Sequence, residues 1–208
     1  MPVCHERQII FLHIPRCGGT SIEESFDLQK SDSLFGESMI DGRYMSVHHM
    51  TAQDLLHAEL LTAETLDSYF KFTVIRDPFD RMASDYRWHR RHDYSGEFSR
   101  LTFKEYLAKA ETVIRENAFL DKRYYDHFRP MTDYCVSGGE LTVDDVLRLD
   151  NIEKDIERLR PRLGDATLSH TNPSADYSEL RTEENISMVY EIYQADKYLW
   201  DNLEALLQ

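Results

Sequence analysis

Two short segments of the sequence combine residue types that bind phosphate groups. The first is Pro15-Arg16-Cys17-Gly18-Gly19-Thr20-Ser21, which directly follows an apolar run over residues 8–14. A glycine-bearing turn between a buried strand and a helix lets successive backbone N–H groups converge on an anion, and the helix N-terminus adds a favourable dipole. The pattern therefore predicts an anion-binding loop whose ligands are Arg16, Cys17, Gly18, Gly19, Thr20 and Ser21.

The position of the basic residue separates this loop from the phosphate loop of kinases. The kinase signature requires a lysine directly before its serine or threonine, and Gly19 occupies that place here. The single basic residue, Arg16, instead precedes the glycines, where its side chain can lie along a bound phosphate. Taken alone, the segment is also compatible with a sharp connection made by Pro15 and the glycines.

The second segment is Arg76-Asp77-Pro78, followed by Ser84. Arg76 ends an apolar run over residues 70–75, and Ser84 lies about two turns into the helix that Pro78 begins. A guanidinium group and a hydroxyl together suit a phosphate monoester. The alternative for Arg76 alone is a structural ion pair with Asp77 or Asp80.

A pair of histidines supplies a candidate proton acceptor. His48 and His49 follow a predicted strand over residues 43–47, so both are expected at the sheet edge that carries Arg16 and Arg76, where open α/β sheets bind ligands. Imidazole is well suited to removing a proton near neutral pH. On spacing alone, both are equally compatible with ordinary polar residues at a helix start. His13, inside an apolar strand, is expected to be a hydrogen-bonded core residue.

An alternation of strands and helices must position these side chains. Apolar runs predict strands over residues 8–14, 43–47 and 70–75. Helical spacing and capping residues predict a helix capped by Thr20 or Ser21, one over residues 52–57 after Thr51, one from Pro78, and others over residues 102–115, 151–163 and 182–207. This order predicts an α/β fold that forms one domain over residues 1–208. The fold is expected to be P-loop-like, with three layers in which helices flank a central parallel sheet.

Two further features are candidates for substrate contact. The irregular stretches over residues 29–42, 93–100 and 167–181 are candidate substrate loops. A locally basic cluster, placed just past the end of the Ser84 helix, is interpreted either as an acceptor contact or as a solvated helix end. It consists of Trp88, His89, Arg90, Arg91 and His92.

Composition limits the class of protein. The chain has 208 residues, of which 41% are hydrophobic, enough for one sizeable domain. Its net charge of −14 disfavours binding to nucleic acid or an anionic membrane surface, so an anion site must carry its own donors. No apolar run is long enough to span a bilayer and no signal-peptide pattern is present, so a cytoplasmic location is expected. The widely spaced Cys4, Cys17 and Cys135 indicate reduced thiols.

The chain resembles the sulfotransferases that use 3′-phosphoadenosine 5′-phosphosulfate (PAPS), in particular the carbohydrate branch that includes heparan sulfate 2-O-sulfotransferase. Residues 11–21 and 74–86 carry the resemblance, which extends more weakly to residues 147–155 and 170–174. It implies that residues 16–21 hold the 5′-phosphosulfate and that Arg76 and Ser84 hold the 3′-phosphate. It also implies that His49, at the start of segment 49–55, is the catalytic base, with His48 as the alternative. Many relatives have lysine at the position of Arg16. Arginine keeps the positive charge there but cannot donate a proton.

The implied reaction is in-line transfer of the sulfuryl group of PAPS to an acceptor hydroxyl. No metal ion is expected, because Arg16 and backbone N–H groups supply the positive field that stabilises the departing phosphate. The acceptor is expected to be a small molecule or a glycan, and the resemblance favours a carbohydrate. Two alternatives are a P-loop-type kinase and a catalytically silent nucleotide-binding protein. The sequence identifies neither the acceptor nor the oligomeric state.

Overall fold

The computed structural model describes residues 2–28, 34–40, 42–93, 96–169 and 176–207. The strands are β1 (Val3–Cys4), β2 (Ile9–Leu12), β3 (Glu37–Ile40), β4 (Arg43–Ser46), β5 (Phe70–Ile75), β6 (Val136–Ser137), β7 (Glu140–Leu141) and β8 (Asp145–Arg148). The α-helices are α1 (Gly19–Ser25), α2 (Ala52–His57), α3 (Ala63–Ser68), α4 (Pro78–His92), α5 (Phe103–Arg115), α6 (Thr132–Cys135), α7 (Ile152–Asp155), α8 (Arg160–Leu163), α9 (Glu183–Ile192) and α10 (Gln194–Leu206).

A mostly parallel sheet forms the centre of the fold, in the order β1-β2-β5-β8. β5 pairs in parallel with β2 and with β8, whereas β1 pairs antiparallel with β2. In the register, Phe11 lies opposite Phe72 and Val74 lies opposite Leu147. All four residues of β2 are buried, as expected for a strand covered on both faces. The mixed α/β class with a central, mostly parallel sheet is therefore confirmed.

Helices cover both faces of this sheet. Successive side chains of a strand point to opposite faces, so Ile10 and Leu12 lie on one face and Ile9 and Phe11 on the other. The first face packs in one apolar cluster with Leu199, Trp200 and Leu203 of α10. The second face packs with Ile22 and Phe26 at α1 and with Ile156, Leu159 and Leu163. The sheet and its two helical coverings are consistent with three layers.

A third apolar cluster joins helices beside the sheet. It contains Phe79 and Met82 of α4, Tyr106 and Leu107 of α5, and Val189 of α9. The predicted apolar faces of α4 and α5 are therefore confirmed, because their side chains are buried where the sequence spacing put them. This cluster holds α4 in place, and α4 carries several residues of the site.

Two strand-to-helix connections lead into the site. At the second, between β5 and α4, the helix begins at Pro78 as predicted. Asp77 caps it by accepting a hydrogen bond from the backbone N–H of Asp80 at 3.1 Å. At the first, the predicted cap at Thr20 or Ser21 is wrong: Gly18 is the N-cap residue of α1, with φ of 83°. A left-handed backbone is easiest for glycine, so the helix begins directly after it.

The strand before the histidine pair does not join the central sheet. β4 pairs only with β3, in an antiparallel two-stranded ribbon, among the described residues. The prediction that His48 and His49 follow a strand of the central sheet is therefore wrong. They lie in a 3₁₀ turn, Val47–His49, which leads into α2 through the predicted cap Thr51.

The C-terminal part of the chain differs from the prediction in two respects. β8 was not predicted, and the helix predicted after it is a series of short 3₁₀ and α segments that ends at Gly164, as predicted. The single helix predicted over residues 182–207 is interrupted at Tyr193, so that α9 packs on α4 and α5 while α10 covers the sheet.

Parts of the predicted substrate loops, residues 29–33, 41, 94–95 and 170–175, lie outside the described residues, and so does the weak resemblance over residues 170–174. Within the described parts of the chain, no helix combines the length and the apolar character that crossing a bilayer requires.

Candidate active site

The glycine-bearing loop between β2 and α1 forms the floor of the site. Arg16 has a left-handed backbone, with φ of 66°, which costs a residue with a side chain about 1 kcal/mol. The N–H of Cys17 donates to the carbonyl of Ile14 at 3.3 Å. Among the described residues, no backbone acceptor faces the N–H groups of Gly18, Gly19 and Thr20. These donors are suited to binding an anion.

The guanidinium group of Arg16 lies above this loop, next to helix α4. Its Nε and Nη2 both donate to the hydroxyl of Ser84 at 3.3 Å, and its charge lies 5.9 Å from the ring centre of Trp88. Within the described part of the chain, Arg16 forms no ion pair with a carboxylate. Burial lowers the pKa of its guanidinium, because a charged group loses solvation there. The group is a partly buried cation that lines the cleft.

Arg76 connects the two predicted phosphate-binding segments. It lies at the end of β5, and its Nη1 donates to the carbonyl of Arg16 at 3.3 Å. Its guanidinium also faces the ring of Tyr177, 5.7 Å from the ring centre. The structure therefore brings Arg16, Arg76 and Ser84 close together. The hydroxyl of Ser84 accepts hydrogen bonds from Arg16, and Arg76 donates to the backbone of Arg16.

Arg81 shares a helix with Ser84 but faces away from the site. It is 1% exposed, and its guanidinium donates to the carbonyls of Pro15, His127 and Arg129 at 2.8–3.1 Å. Its Nη1 also lies 3.7 Å from a carboxylate oxygen of Asp196. Arg81 thus holds the back of the loop against the rest of the core.

His49 is held by a buried carboxylate. Its Nδ1–H donates to Oδ2 of Asp126 at 2.8 Å, and its backbone carbonyl accepts from the hydroxyl of Tyr134 at 2.8 Å. Burial, followed by repulsion from neighbouring histidines, lowers the pKa of His49 well below its usual value, while burial raises the pKa of Asp126. The imidazole is therefore neutral, and its Nε2 keeps a lone pair that accepts a proton.

His48 and His13 lie beside His49. Nδ1 of His48 donates to the carbonyl of Gly36 at 2.9 Å, and burial lowers the pKa of His48 to about 3. Nδ1 of His13 pairs with Glu23 at 2.6 Å, so His13 is hydrogen-bonded as predicted. Its ring also fills the space next to Gly19: a Cβ there would lie 2.2 Å from the ring. Close packing against His13 therefore leaves no space for a side chain at position 19.

A second histidine–carboxylate pair, missed in the sequence, completes the wall of the site. Nδ1 of His127 pairs with Asp85 at 2.6 Å, and the other oxygen of Asp85 accepts from the hydroxyl of Tyr106 at 2.7 Å. Burial opposes ionisation of Asp85, but attraction from His89 and His127 outweighs it and lowers the pKa of Asp85. The ring of His127 stacks on Trp88 at 4.9 Å. No sequence spacing links these positions.

The loop, Arg76 and His49 line one cleft of about 850 Å³, a size typical of ligand-binding sites, whereas Arg81 and Asp126 do not line it. The cleft is lined by every residue proposed for the site from sequence. These are Arg16, Cys17, Gly18, Gly19, Thr20, Ser21, His48, His49, Arg76 and Ser84. Cys17 contributes through its place in the loop, because burial raises the pKa of its thiol to about 11 and the thiol is therefore not ionised.

The basic cluster is part of α4 and not a segment beyond its end, contrary to the prediction. Its members have different environments: Trp88, Arg91 and His92 line the cleft, while Arg90 is exposed. His89 is buried, with its Nδ1 2.6 Å from the hydroxyl of Tyr106. Only part of the cluster is therefore available to an acceptor.

Three groups of side chains have the spacing of metal ligands. They are His13 with His48 and His49, His49 with Asp126 and His127, and Asp85 with His89 and His127. In each group the candidate ligand atoms lie within 4.8 Å of one another.

Comparison with known protein families finds a match over most of the chain. The model of a family described as "Sulfotransferase family" matches residues 1–201. Neither the curated proteins nor the solved structures provide a significant match to the chain. The family match includes both segments predicted to bind phosphate, the histidine pair and β8. Because it extends over nearly the whole sequence, this chain belongs to the sulfotransferase family.

Proposed function

We propose that this chain transfers the sulfuryl group of PAPS to a hydroxyl group of a carbohydrate acceptor, with His49 as the base. The observation that carries the proposal is the convergence of Arg16, Ser84 and His49 on one cleft. An anion-binding group and a neutral imidazole are the two requirements of sulfuryl transfer to an alcohol. The family assignment supports sulfuryl transfer, and the roles of individual residues are our proposal.

The proposed donor site has two ends. The N–H groups of Gly18, Gly19 and Thr20 and the side chain of Arg16 bind the 5′-phosphosulfate. Arg76 and Ser84 bind the 3′-phosphate, which suits a guanidinium group and a hydroxyl. Supporting this arrangement, Arg16 lacks a carboxylate partner among the described residues, so an incoming anion replaces no existing ion pair.

In the proposed reaction, His49 takes the proton of the acceptor hydroxyl on Nε2. The acceptor oxygen forms a bond to sulfur as the bond between sulfur and the phosphate oxygen breaks, giving a sulfate ester and adenosine 3′,5′-bisphosphate. Asp126 acts as a positioning residue: it fixes the tautomer of His49 through Nδ1 and stabilises the imidazolium that forms. Arg16 stabilises the negative charge on the departing phosphate.

A carbohydrate acceptor is favoured by the resemblance. Trp88, Tyr124 and Glu37 also line the cleft, and aromatic rings and carboxylates are groups that contact sugars. In this structure the ring of Trp88 stacks on His127 and Glu37 pairs with Arg123 at 2.6 Å, so an acceptor would have to replace these contacts. A screen of glycans, lipids, phenols and peptides with labelled PAPS tests this acceptor class, and labelling of phenols or peptides alone would contradict it.

The base is tested by replacing His49. His49→Ala is expected to lower turnover roughly 10²-fold or more, because the proton of the acceptor then has no general base. Its affinity for adenosine 3′,5′-bisphosphate, measured by calorimetric titration, should stay near that of the unaltered chain. His48→Ala is the matched comparison and should lower turnover less. Near-normal turnover of His49→Ala would remove His49 from the mechanism.

The same assays separate the alternative functions. A P-loop-type kinase would consume ATP in the presence of magnesium and would not require the bisphosphate site. A silent nucleotide-binding protein would bind adenosine 3′,5′-bisphosphate without transferring labelled sulfate to any acceptor. Transfer of label from PAPS, lost in His49→Ala, is the result expected of the proposed enzyme.

A further inference from the structure

Three histidines from two parts of the chain, His13 and the adjacent His48 and His49, lie together in the cleft. The ring centres of His48 and His49 lie 4.0 Å apart, and that of His13 lies 5.0 Å from His49 and 5.5 Å from His48. One ring nitrogen of each lies within 4.8 Å of the others. Sulfuryl transfer as proposed needs one base, so this convergence exceeds what the reaction requires.

The second ring nitrogen of each histidine is already held by an oxygen. Nδ1 of His13 pairs with Glu23 at 2.6 Å, Nδ1 of His48 with the carbonyl of Gly36 at 2.9 Å, and Nδ1 of His49 with Asp126 at 2.8 Å. Histidines that bind metal ions almost always donate their other N–H to a carboxylate or a carbonyl in this way. The arrangement leaves three Nε2 atoms with free lone pairs.

We propose that His13, His48 and His49 form a binding site for a divalent transition-metal ion, with Zn²⁺ as the best match. Three imidazoles and one open position are a common zinc arrangement, and all three histidines line the cleft. Zinc–nitrogen bonds of about 2.0–2.1 Å place tetrahedral ligand atoms about 3.3 Å apart, so small side-chain rotations close the site. The carboxylates of Glu23 and Asp126 balance the charge of the ion.

The other two groups of potential ligands are less suitable. Binding through Asp126 and His127 would break the hydrogen bond between Asp126 and His49. Asp85 and His89 do not line the cleft, and both are already bonded to Tyr106. An ion there would have to replace buried hydrogen bonds, whereas the site of His13, His48 and His49 uses nitrogen atoms that no described group occupies.

Zinc binding would interfere with the proposed reaction, a consequence that rests on the proposed function. The ion and the proton of the acceptor compete for the same atom, Nε2 of His49. Zinc is therefore expected to inhibit sulfuryl transfer, and removal of zinc with a chelator is expected to restore it. The site would make the enzyme sensitive to free zinc.

The binding test needs neither PAPS nor turnover. The metal-free chain is titrated with Zn²⁺ in competition with a chromogenic zinc chelator, which should give one ion per chain. His48→Ala and His49→Ala should each weaken binding by at least about tenfold. The matched control is His92→Ala: His92 also lines the cleft and its Nδ1 bonds to the carbonyl of Trp88 at 2.9 Å, but it belongs to none of the three ligand groups. It should bind zinc normally.

Cobalt gives an independent measurement of the geometry. Co²⁺ bound to three histidines in a tetrahedral site should absorb visible light, and His48→Ala should lose this band while His92→Ala keeps it. Equal zinc affinity in the unaltered chain and in His48→Ala, with both folded by circular dichroism, would overturn the proposal. Zinc binding that requires His48 and His49 but leaves turnover unchanged would support the metal site and instead contradict His49 as the base.

Discussion

Two arginines at the same loop, the buried Arg81 and the partly buried Arg16, have opposite environments. The guanidinium of Arg81 contacts three backbone carbonyls and lies near Asp196. The guanidinium of Arg16 contacts only the hydroxyl of Ser84 among the polar groups described, and lies over Trp88. The fold therefore supplies the negative partners of Arg81 itself, whereas Arg16 has no carboxylate partner among the described residues; in the proposed function a ligand supplies it.

Arg81 therefore has the environment of a structural cation, whereas Arg16 has the environment of a cation that can bind an anionic ligand. A buried charge is tolerated when hydrogen bonds and an opposite charge replace its lost hydration. Arg81 meets that condition in the absence of ligand, and Arg16 does not. Burial accordingly lowers the pKa of Arg16, whereas nearby ionisable groups outweigh burial and raise the pKa of Arg81. The same residue type thus contributes to stability at one position and to ligand affinity at the other.

The largest effect is expected at Arg81. Arg81→Met should lower the free energy of unfolding by about 3–5 kcal/mol, because three carbonyls and Asp196 would lose a buried partner. Urea denaturation measures this loss. The control is Arg90→Met on the same helix, where the side chain is exposed and a change of less than about 0.5 kcal/mol is expected. Equal stability of both variants would show that Arg81 is not a structural cation.

Arg16→Met should have the reverse profile. Its free energy of unfolding should be unchanged or higher, since a poorly partnered buried charge is removed. Its affinity for adenosine 3′,5′-bisphosphate should fall by about 1.5–3 kcal/mol, the range for a hydrogen bond to a charged group. Calorimetric titration beside Arg90→Met measures the loss. Destabilisation as large as that of Arg81→Met, with normal affinity, would remove the distinction between the two arginines.

A smaller effect is expected at Ser84. Ser84→Ala should weaken bisphosphate binding by about 0.5–1.5 kcal/mol, the range for a neutral hydrogen bond. The double variant with Arg16→Met shows whether the hydroxyl binds the ligand itself or only orients Arg16. In the second case the double variant binds no more weakly than Arg16→Met alone. Affinity of Ser84→Ala equal to that of the unaltered chain would exclude Ser84 from the site.

The parts of the fold that were predicted correctly are those with local signals. The strand before Arg76 is a run of buried residues, and Asp77-Pro78 marks the start of α4. β8 has no such signal: it is four residues long, begins with an aspartate and ends with an arginine, and runs into a helical segment. Whether β4 joins the central sheet or a separate ribbon depends on long-range pairing, which local patterns do not contain.

The residues of the candidate site that belong to short sequence motifs were predicted, and those outside such motifs were not. The loop, Arg76 and the histidine pair were found because each stands at the end of a strand or in a turn, and Ser84 because it lies about two turns into the helix that follows Arg76. Asp126, the partner of His49, is distant in sequence and was missed, as was the pair of His127 and Asp85. Such partners are selected by tertiary packing, so no spacing in the sequence identifies them.

The central place of β5 also determines when the cleft can form. Its two partners, β2 and β8, lie far from it on either side in the sequence, so both pairings require the closure of long loops. Contacts between distant segments slow folding and favour partly folded intermediates. During synthesis, the glycine-bearing loop emerges early, but the sheet remains incomplete until residues 145–148 have left the ribosome. The chain therefore completes the sheet that supports the candidate site only late in its own synthesis.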